Sequence, residues 1–171
     1  LSLGIKGLTG RHTMRLSNLR FSTETACFWD ERAATLENQV TRPIRDHVEM
    51  GFSGTNDDPG FDSLLLKMKN TDYYPELFNF VFGDPEITEP RIQKALAQFV
   101  RSMQSFDSRF DIGRAQMSND LDDFPNFTSL ENEGKKLFLT LPTEGGAGCF
   151  RCHAAPEFSI DSSVLNNGFI N

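Results

Sequence analysis

Gly148-Cys149-Phe150-Arg151-Cys152-His153 is the stretch from which the rest of this chain is read. Two cysteines separated by two residues and followed directly by histidine form the attachment signal for c-type haem. The spacing follows from the chemistry. Each thiol adds across one haem vinyl group, and the adjacent imidazole reaches back to the iron as its proximal ligand. Iron held in this way carries electrons or activates oxygen species, according to what faces it on the other side. Cys-x-x-Cys also serves zinc sites and dithiol redox sites. A zinc site needs further ligands, and the remaining candidates, Cys27, His12 and His47, are scattered. A thioredoxin-like site needs a βαβ setting, and no such pattern flanks the motif. The residues favour haem, with zinc and redox dithiol left as alternatives.

Working outward, 171 residues suffice for one domain or two small ones with a real core. A hydrophobic content of 38% and a charged content of 24% are those of a soluble globular protein. Sixteen Phe is high; they read either as a Phe-rich core or, for some, as the lining of a flat apolar cofactor. A net charge of −7 argues against nucleic acid as a partner and permits docking with a basic protein. No apolar run approaches membrane-spanning length. The chain opens at Leu1-Ser2-Leu3 without initiator Met or signal peptide and stops at Asn171 without a terminal element, so both ends read as cut. With two cysteines assigned to haem, Cys27 is expected to be a buried free thiol. Covalent haem attachment implies export, because c-type haem is loaded outside the cytoplasm.

The periodicity predicts a helix over 88–106, with Ile92, Ala95, Leu96, Phe99, Val100, Met103 and Phe106 on one apolar face. Thr88 suits its N-cap and Pro90 its first turn. Thr128-Ser129-Leu130-Glu131 reads as a capping box opening a helix with Leu130, Leu137 and Phe138 facing one way. A helix over 35–42 should stop before Pro43, and 61–68 and 75–82 read as two short helices. Loops are expected over 51–60 and 113–126, the latter the best candidate for a domain junction. No alternating strands are visible. The fold class is mainly α with long loops, divided as 1–112 and 113–171.

Several separated motifs, in order, carry a family resemblance. Phe28-Trp29-Asp30-Glu31-Arg32-Ala33-Ala34 through Leu36-Glu37-Asn38-Gln39, then Pro43-Ile44 through Val48-Glu49-Met50, resemble stretches of the bacterial di-haem cytochrome c peroxidases and their MauG-like relatives. Phe82-Gly83-Asp84-Pro85-Glu86-Ile87-Thr88, Ala95-Leu96-Ala97-Gln98-Phe99 and Ser108-Arg109-Phe110-Asp111 resemble that family's connecting helix. Leu130-Glu131-Asn132-Glu133-Gly134 with Leu137-Phe138 is similar to the lead-in to its second haem, and Asn166-Asn167-Gly168-Phe169 to the short motif after it.

The resemblance implies two mainly helical, cytochrome c-like domains, one per haem. Residues 1–112 would belong to the peroxidatic domain, without its own attachment motif, and 113–171 would begin the electron-accepting domain. Cys149, Cys152 and His153 match the second attachment site. The first would lie before Leu1 and the second haem's distal ligand beyond Asn171. Glu49 matches the catalytic glutamate, where a carboxylate must move a proton from the inner to the outer peroxide oxygen. Gln39 matches a glutamine that would hold peroxide or water, and Trp29 the tryptophan that would relay electrons between haems. Trp29, Gln39 and Glu49 fall at even intervals of ten. Read without the resemblance, Glu49 is one acidic residue among 24, Gln39 a surface helix residue and Trp29 core.

The resemblance also has departures. A histidine that blocks the peroxidatic haem in several members would fall near Gly4, and Ile5-Lys6-Gly7 stands there instead. His12 stands where an asparagine helps bind a bridging calcium, which puts that calcium in doubt; a haem ligand, another metal's ligand and a plain surface histidine are its other readings. The implied activity is reduction of hydrogen peroxide to water, with electrons from a small cytochrome or copper protein, in the periplasm or otherwise exported. A MauG-like oxidase of a partner protein and a one-haem electron carrier are the alternatives. A homodimer is compatible with the family.

Overall fold

Thr35 begins the first helix because its side chain accepts the Asn38 N–H at 3.1 Å, which satisfies one of the donors a helix start leaves open. The computed structural model describes residues 1–22, 26–28, 30–154 and 158–160. In chain order it contains β1 (Leu3–Gly4), β2 (Gly7–Leu8), α1 (Leu36–Val40), α2 (Arg42–Arg45), α3 (Phe61–Lys69), α4 (Tyr73–Phe82), α5 (Glu89–Ser102), α6 (Arg109–Arg114), α7 (Ser129–Leu139), β3 (His153–Ala154) and β4 (Ser159–Ile160). The fold is mainly helical with long loops, as the periodicity predicts. The strands are two minimal antiparallel hairpins, β1 with β2 and β3 with β4.

The chain divides into two compact units near residue 103. The first holds β1, β2 and α1–α5. Its core joins Ile44 of α2, Phe61 of α3, Phe78 of α4, Ile87 and Ile92 of α5, with Phe52, Leu64, Leu65, Met68, Tyr74, Phe82 and Leu96 packed around them. Fully burying such side chains stabilises by about 1.5–3 kcal/mol each. Ion pairs tie its periphery, among them Arg45 with Glu89, Arg91 with Asp84 and Arg101 with Glu37.

The first unit corrects several sequence expectations. Helix α5 ends at Ser102, short of 106, because Met103 turns extended and bonds back to the Val100 carbonyl. Thr88 stands at its N-cap, but its side chain makes no cap bond. Phe99 is 62% exposed, whereas Ala97 is buried. Pro43 does not end a helix there; it sits in the first turn of α2, where its missing N–H costs nothing. Cys27 is half-buried rather than buried and stands in no disulfide among the described residues; its backbone bridges to Ala33.

The second unit holds α6, α7, β3 and β4. Helix α6, on the stretch that resembles the family's connecting helix, opens with its own capping box between Ser108 and Asp111 and runs into the start of the expected 113–126 loop. Gly113 lets this helix lie against the following loop, since a methyl group there would meet Phe124 Cδ2 and Asn126 Oδ1, each at 2.5 Å. The Thr128–Glu131 capping box forms as read: Thr128 Oγ1 accepts the Glu131 N–H at 3.3 Å, and Glu131 accepts the Thr128 N–H at 2.7 Å. The face α7 buries is different from the one expected. Leu130 is 79% exposed and Leu137 is exposed too, while Asn132 and Lys135 are buried.

Candidate functional site

The C-terminal end of α7 leads into the Cys-x-x-Cys-His turn through a loop that folds back on the helix. Ala147 N–H donates to the Leu137 carbonyl at 2.7 Å and Gly148 N–H to the Thr140 carbonyl at 2.8 Å, which satisfies acceptors the helix end leaves open. Gly148 has φ +69° with Pro142 against it, so a side chain there would be strained and crowded. Cys149 opens a short 3-10 turn, Cys152 closes it, and both thiols are half-buried and free. His153 then enters β3.

His153 lines a cavity of about 530 Å³ whose walls are Phe110, Phe127, Phe138, Leu139 and Phe158, with Gly134, Glu131 and Lys135 on α7. Three of these rings form a continuous aromatic wall, Phe110 meeting Phe158 at 5.0 Å between ring centroids and Phe158 meeting Phe138 at 5.7 Å, and the buried Phe124 backs Phe110 at 5.4 Å. These rings are part of the high Phe content; their convergence on one wall has no signal in the sequence beyond that count. Gly134, without a side chain, has open space beside it.

His153 Nδ1 lies 3.1 Å from the Phe158 carbonyl oxygen. A carbonyl only accepts, so Nδ1 carries the proton and donates it. The lone pair is thereby placed on Nε2, the arrangement a metal-ligating histidine needs. The residues fit a c-type haem: two free thiols at the attachment spacing, an imidazole with the correct tautomer, and an apolar cavity beside it. The two thiols are not among the residues lining that cavity; His153 alone of the motif is.

Polar groups around the cavity are held in place. Arg109 reaches Glu131 with two nitrogens, at 2.5 and 2.9 Å, and holds its carboxyl well below the ordinary value, at about 2. The Lys135 ammonium donates to the carbonyls of Asp120 and Asp122 and lies 3.8 Å from the centre of the Phe124 ring. Burial pushes its pKa down.

In the first unit, Gln39 and Glu49 line one cavity, of about 340 Å³, with His12, Met14, Phe28, Asp30, Arg32, Pro43, Asp46 and Val48 among its walls. Gln39 comes from α1 and Glu49 from the turn after α2. The Glu49 carboxyl is pushed above the ordinary range, first by burial and then by the nearby Asp46 charge, with Arg32 acting in the opposite sense. Arg32 itself is stacked over the Phe28 ring at 3.7 Å and paired with Asp30 at 2.8 Å. Nothing in the spacing of Arg32 and Asp46 marks them as neighbours of Glu49. Trp29 and the 166–169 motif lie outside the described residues. His47 pairs with Asp58 at 2.7 Å. Among the described residues no group of three or more His, Cys, Asp or Glu side chains could hold a metal ion, and no helix is long and apolar enough to cross a membrane.

A Cys-x-x-Cys-His turn on a helical scaffold, with an apolar cavity beside its histidine, fits a haem oxidoreductase. The family description "Di-haem cytochrome c peroxidase" matches residues 1–118. The chain belongs to the di-haem cytochrome c peroxidase family. It is 33% identical over 138 residues to cytochrome c551 peroxidase of Nitrosomonas europaea, covering 81% of this chain and 36% of that protein. It is 31% identical over 138 residues to methylamine utilization protein MauG of Methylophilus methylotrophus, with the same coverage. It is also 31% identical over 153 residues to MauG of Methylorubrum extorquens, covering 89% of this chain and 38% of that protein. The chain thus spans little more than a third of the length of these relatives.

Proposed function

We propose that this chain is part of an exported di-haem peroxidase that reduces hydrogen peroxide to water with electrons from a small cytochrome or copper protein. The observation that carries the reading is the convergence of Gln39 and Glu49, from two separate elements, on one cavity, with the Glu49 carboxyl pushed upward by burial. A carboxyl whose pKa is raised by burial is better matched to accepting and returning a proton than an ordinary surface carboxylate. The family is described as di-haem, and this sequence holds one Cys-x-x-Cys-His motif. The other haem would therefore attach outside this stretch.

In this reading Cys149 and Cys152 form the thioether links and His153 Nε2 is the proximal ligand. When bound, the haem supplies one-electron transfer. Gln39 holds peroxide by its amide. Glu49 takes the proton from one peroxide oxygen and returns it to the other, so that the O–O bond breaks toward water. Two electrons and two protons complete the conversion of one peroxide to two waters. Trp29 is the relay for those electrons. Residues 1–112 serve the peroxidatic side and 113–171 the electron-accepting side. Covalent haem implies a periplasmic or otherwise exported protein.

The test is Glu49→Gln in the full-length holoprotein. The amide is nearly isosteric but accepts no proton, so peroxide turnover should fall about 10²- to 10⁴-fold with both haems retained. Near-normal turnover under saturating electron donor would overturn the assignment. The likeness to two MauG proteins favours a second reading, oxidation of a partner protein. Oxidised residues on a protein substrate, without donor-dependent peroxide turnover, would select it.

A further inference from the structure

The N-terminal hairpin is built onto the Glu49 backbone. Ile5 N–H donates to the Glu49 carbonyl at 3.0 Å and Lys6 N–H to the Val48 carbonyl at 3.2 Å. On the other side, Glu49 N–H and Val48 N–H donate to Asp46 Oδ1 at 3.0 and 2.8 Å. Glu49 is therefore held at both its N–H and its C=O. Gly4 makes the approach close enough: a methyl group there would overlap the Val48 carbonyl and meet the Glu49 Cα at 2.8 Å. Its backbone is not in the left-handed region, so space and not conformation demands glycine. Two further contacts anchor the hairpin. Ile5 Cδ1 packs against Gly51 in the space a side chain there would need. Lys6 pairs at 3.9 Å with Asp58, whose side chain is 3% exposed and which also binds His47.

We propose that the Leu3–Leu8 hairpin is the positioning element for Glu49, with Gly4 the residue that lets it dock. The inference rests on Glu49 being the proton carrier. Docking on the backbone from behind sets how deeply the carboxyl reaches into the cavity it shares with Gln39. It also leaves no room for a side chain at position 4, histidine included, while the hairpin is in place.

The test uses the full-length holoprotein and four variants. Gly4→Ala should lower peroxide turnover about 10- to 100-fold, the scale of a misplacement near 1 Å. The donor KM and haem content should stay unchanged. The acid limb of the kcat profile should move down toward the ordinary carboxylate range as the carboxyl gains water, with Asp46, Arg32 and His12 still facing the same cavity. A merely structural role would lower thermal stability and leave the limb in place. Ile5→Ala should act in the same direction more weakly. Gly60→Ala, whose new methyl would have only an ordinary 3.9 Å contact, should change nothing. If Glu49→Gln loses turnover while Gly4→Ala keeps wild-type turnover and limb, the hairpin does not position Glu49. If Glu49→Gln keeps turnover, the proton-carrier reading itself falls. Should Gly4→Ala yield no folded holoprotein, an unmoved acid limb in Ile5→Ala overturns the proposal.

Discussion

The Nδ1–H of His153 donates to the Phe158 carbonyl at 3.1 Å, across the mouth of the β3–β4 hairpin. One backbone acceptor thus decides which ring nitrogen is free to bind metal. Replacing His153 with Ala should leave the haem covalently attached through Cys149 and Cys152, so the chain still stains for haem after denaturing electrophoresis. The Soret band should shift, because the iron loses its nitrogen ligand. Cys149→Ser with Cys152→Ser should abolish the stain. Haem stain persisting in the double serine variant would show that attachment lies elsewhere.

Peroxide turnover should have an acid limb above the ordinary glutamate value of 4.5, because the Glu49 pKa is raised. The base form does the work, so activity is lost as pH falls through that raised pKa. Asp46→Asn keeps an oxygen for the Val48 and Glu49 N–H groups but removes the repelling charge. It should move the limb downward. Arg32→Ala should move it upward. Stopped-flow or steady-state pH profiles read both shifts.

Asn132 bonds both polar groups of one backbone unit: it accepts the Phe124 N–H at 2.8 Å and donates to the Phe124 carbonyl at 3.2 Å, all buried. Asn132→Ala should orphan the Phe124 N–H, at a cost of about 1–3 kcal/mol, while the carbonyl keeps the Phe127 N–H at 3.1 Å. Urea denaturation of the second unit's signal should report it. A loss under 0.5 kcal/mol, of the size of an ordinary surface substitution, would show that water replaces the amide.

Glu131 has its folded pKa held at about 2 against an ordinary 4.5. A lowered carboxyl contributes stability above its unfolded pKa and loses it as pH falls from about 4.5 toward 2. The Arg109 partner is exposed, so the gain is modest. Glu131→Gln should flatten the dependence of stability on pH across that window, measured by thermal melts between pH 5 and 2. An unchanged slope would mean that other carboxylates dominate the acid response.

Much of this molecule is written locally. The Cys-x-x-Cys-His turn, the Thr128–Glu131 box, the starts of α1 and α5 and the existence of α3 and α4 depend on residues within one or two turns of each other. Spacing alone therefore determined them, and the order of the motifs pointed to the family. Other features needed the fold. The α7 face could not be read from apolar spacing. Lys135 and Asn132 are buried because backbone carbonyls and N–H groups of the 120–124 loop satisfy them, and those groups are invisible in a hydrophobicity pattern. The same holds for the Phe158 carbonyl that sets the His153 tautomer. Gly4 and Glu49 lie 45 positions apart in the sequence, and their closeness depends on a β-turn docking against another turn's backbone. Local sequence determines which elements form, because helix caps and periodic faces are short-range. Tertiary structure decides which polar groups are buried, which carboxyl is perturbed and which glycine is needed, because those depend on atoms brought together from distant parts of the chain.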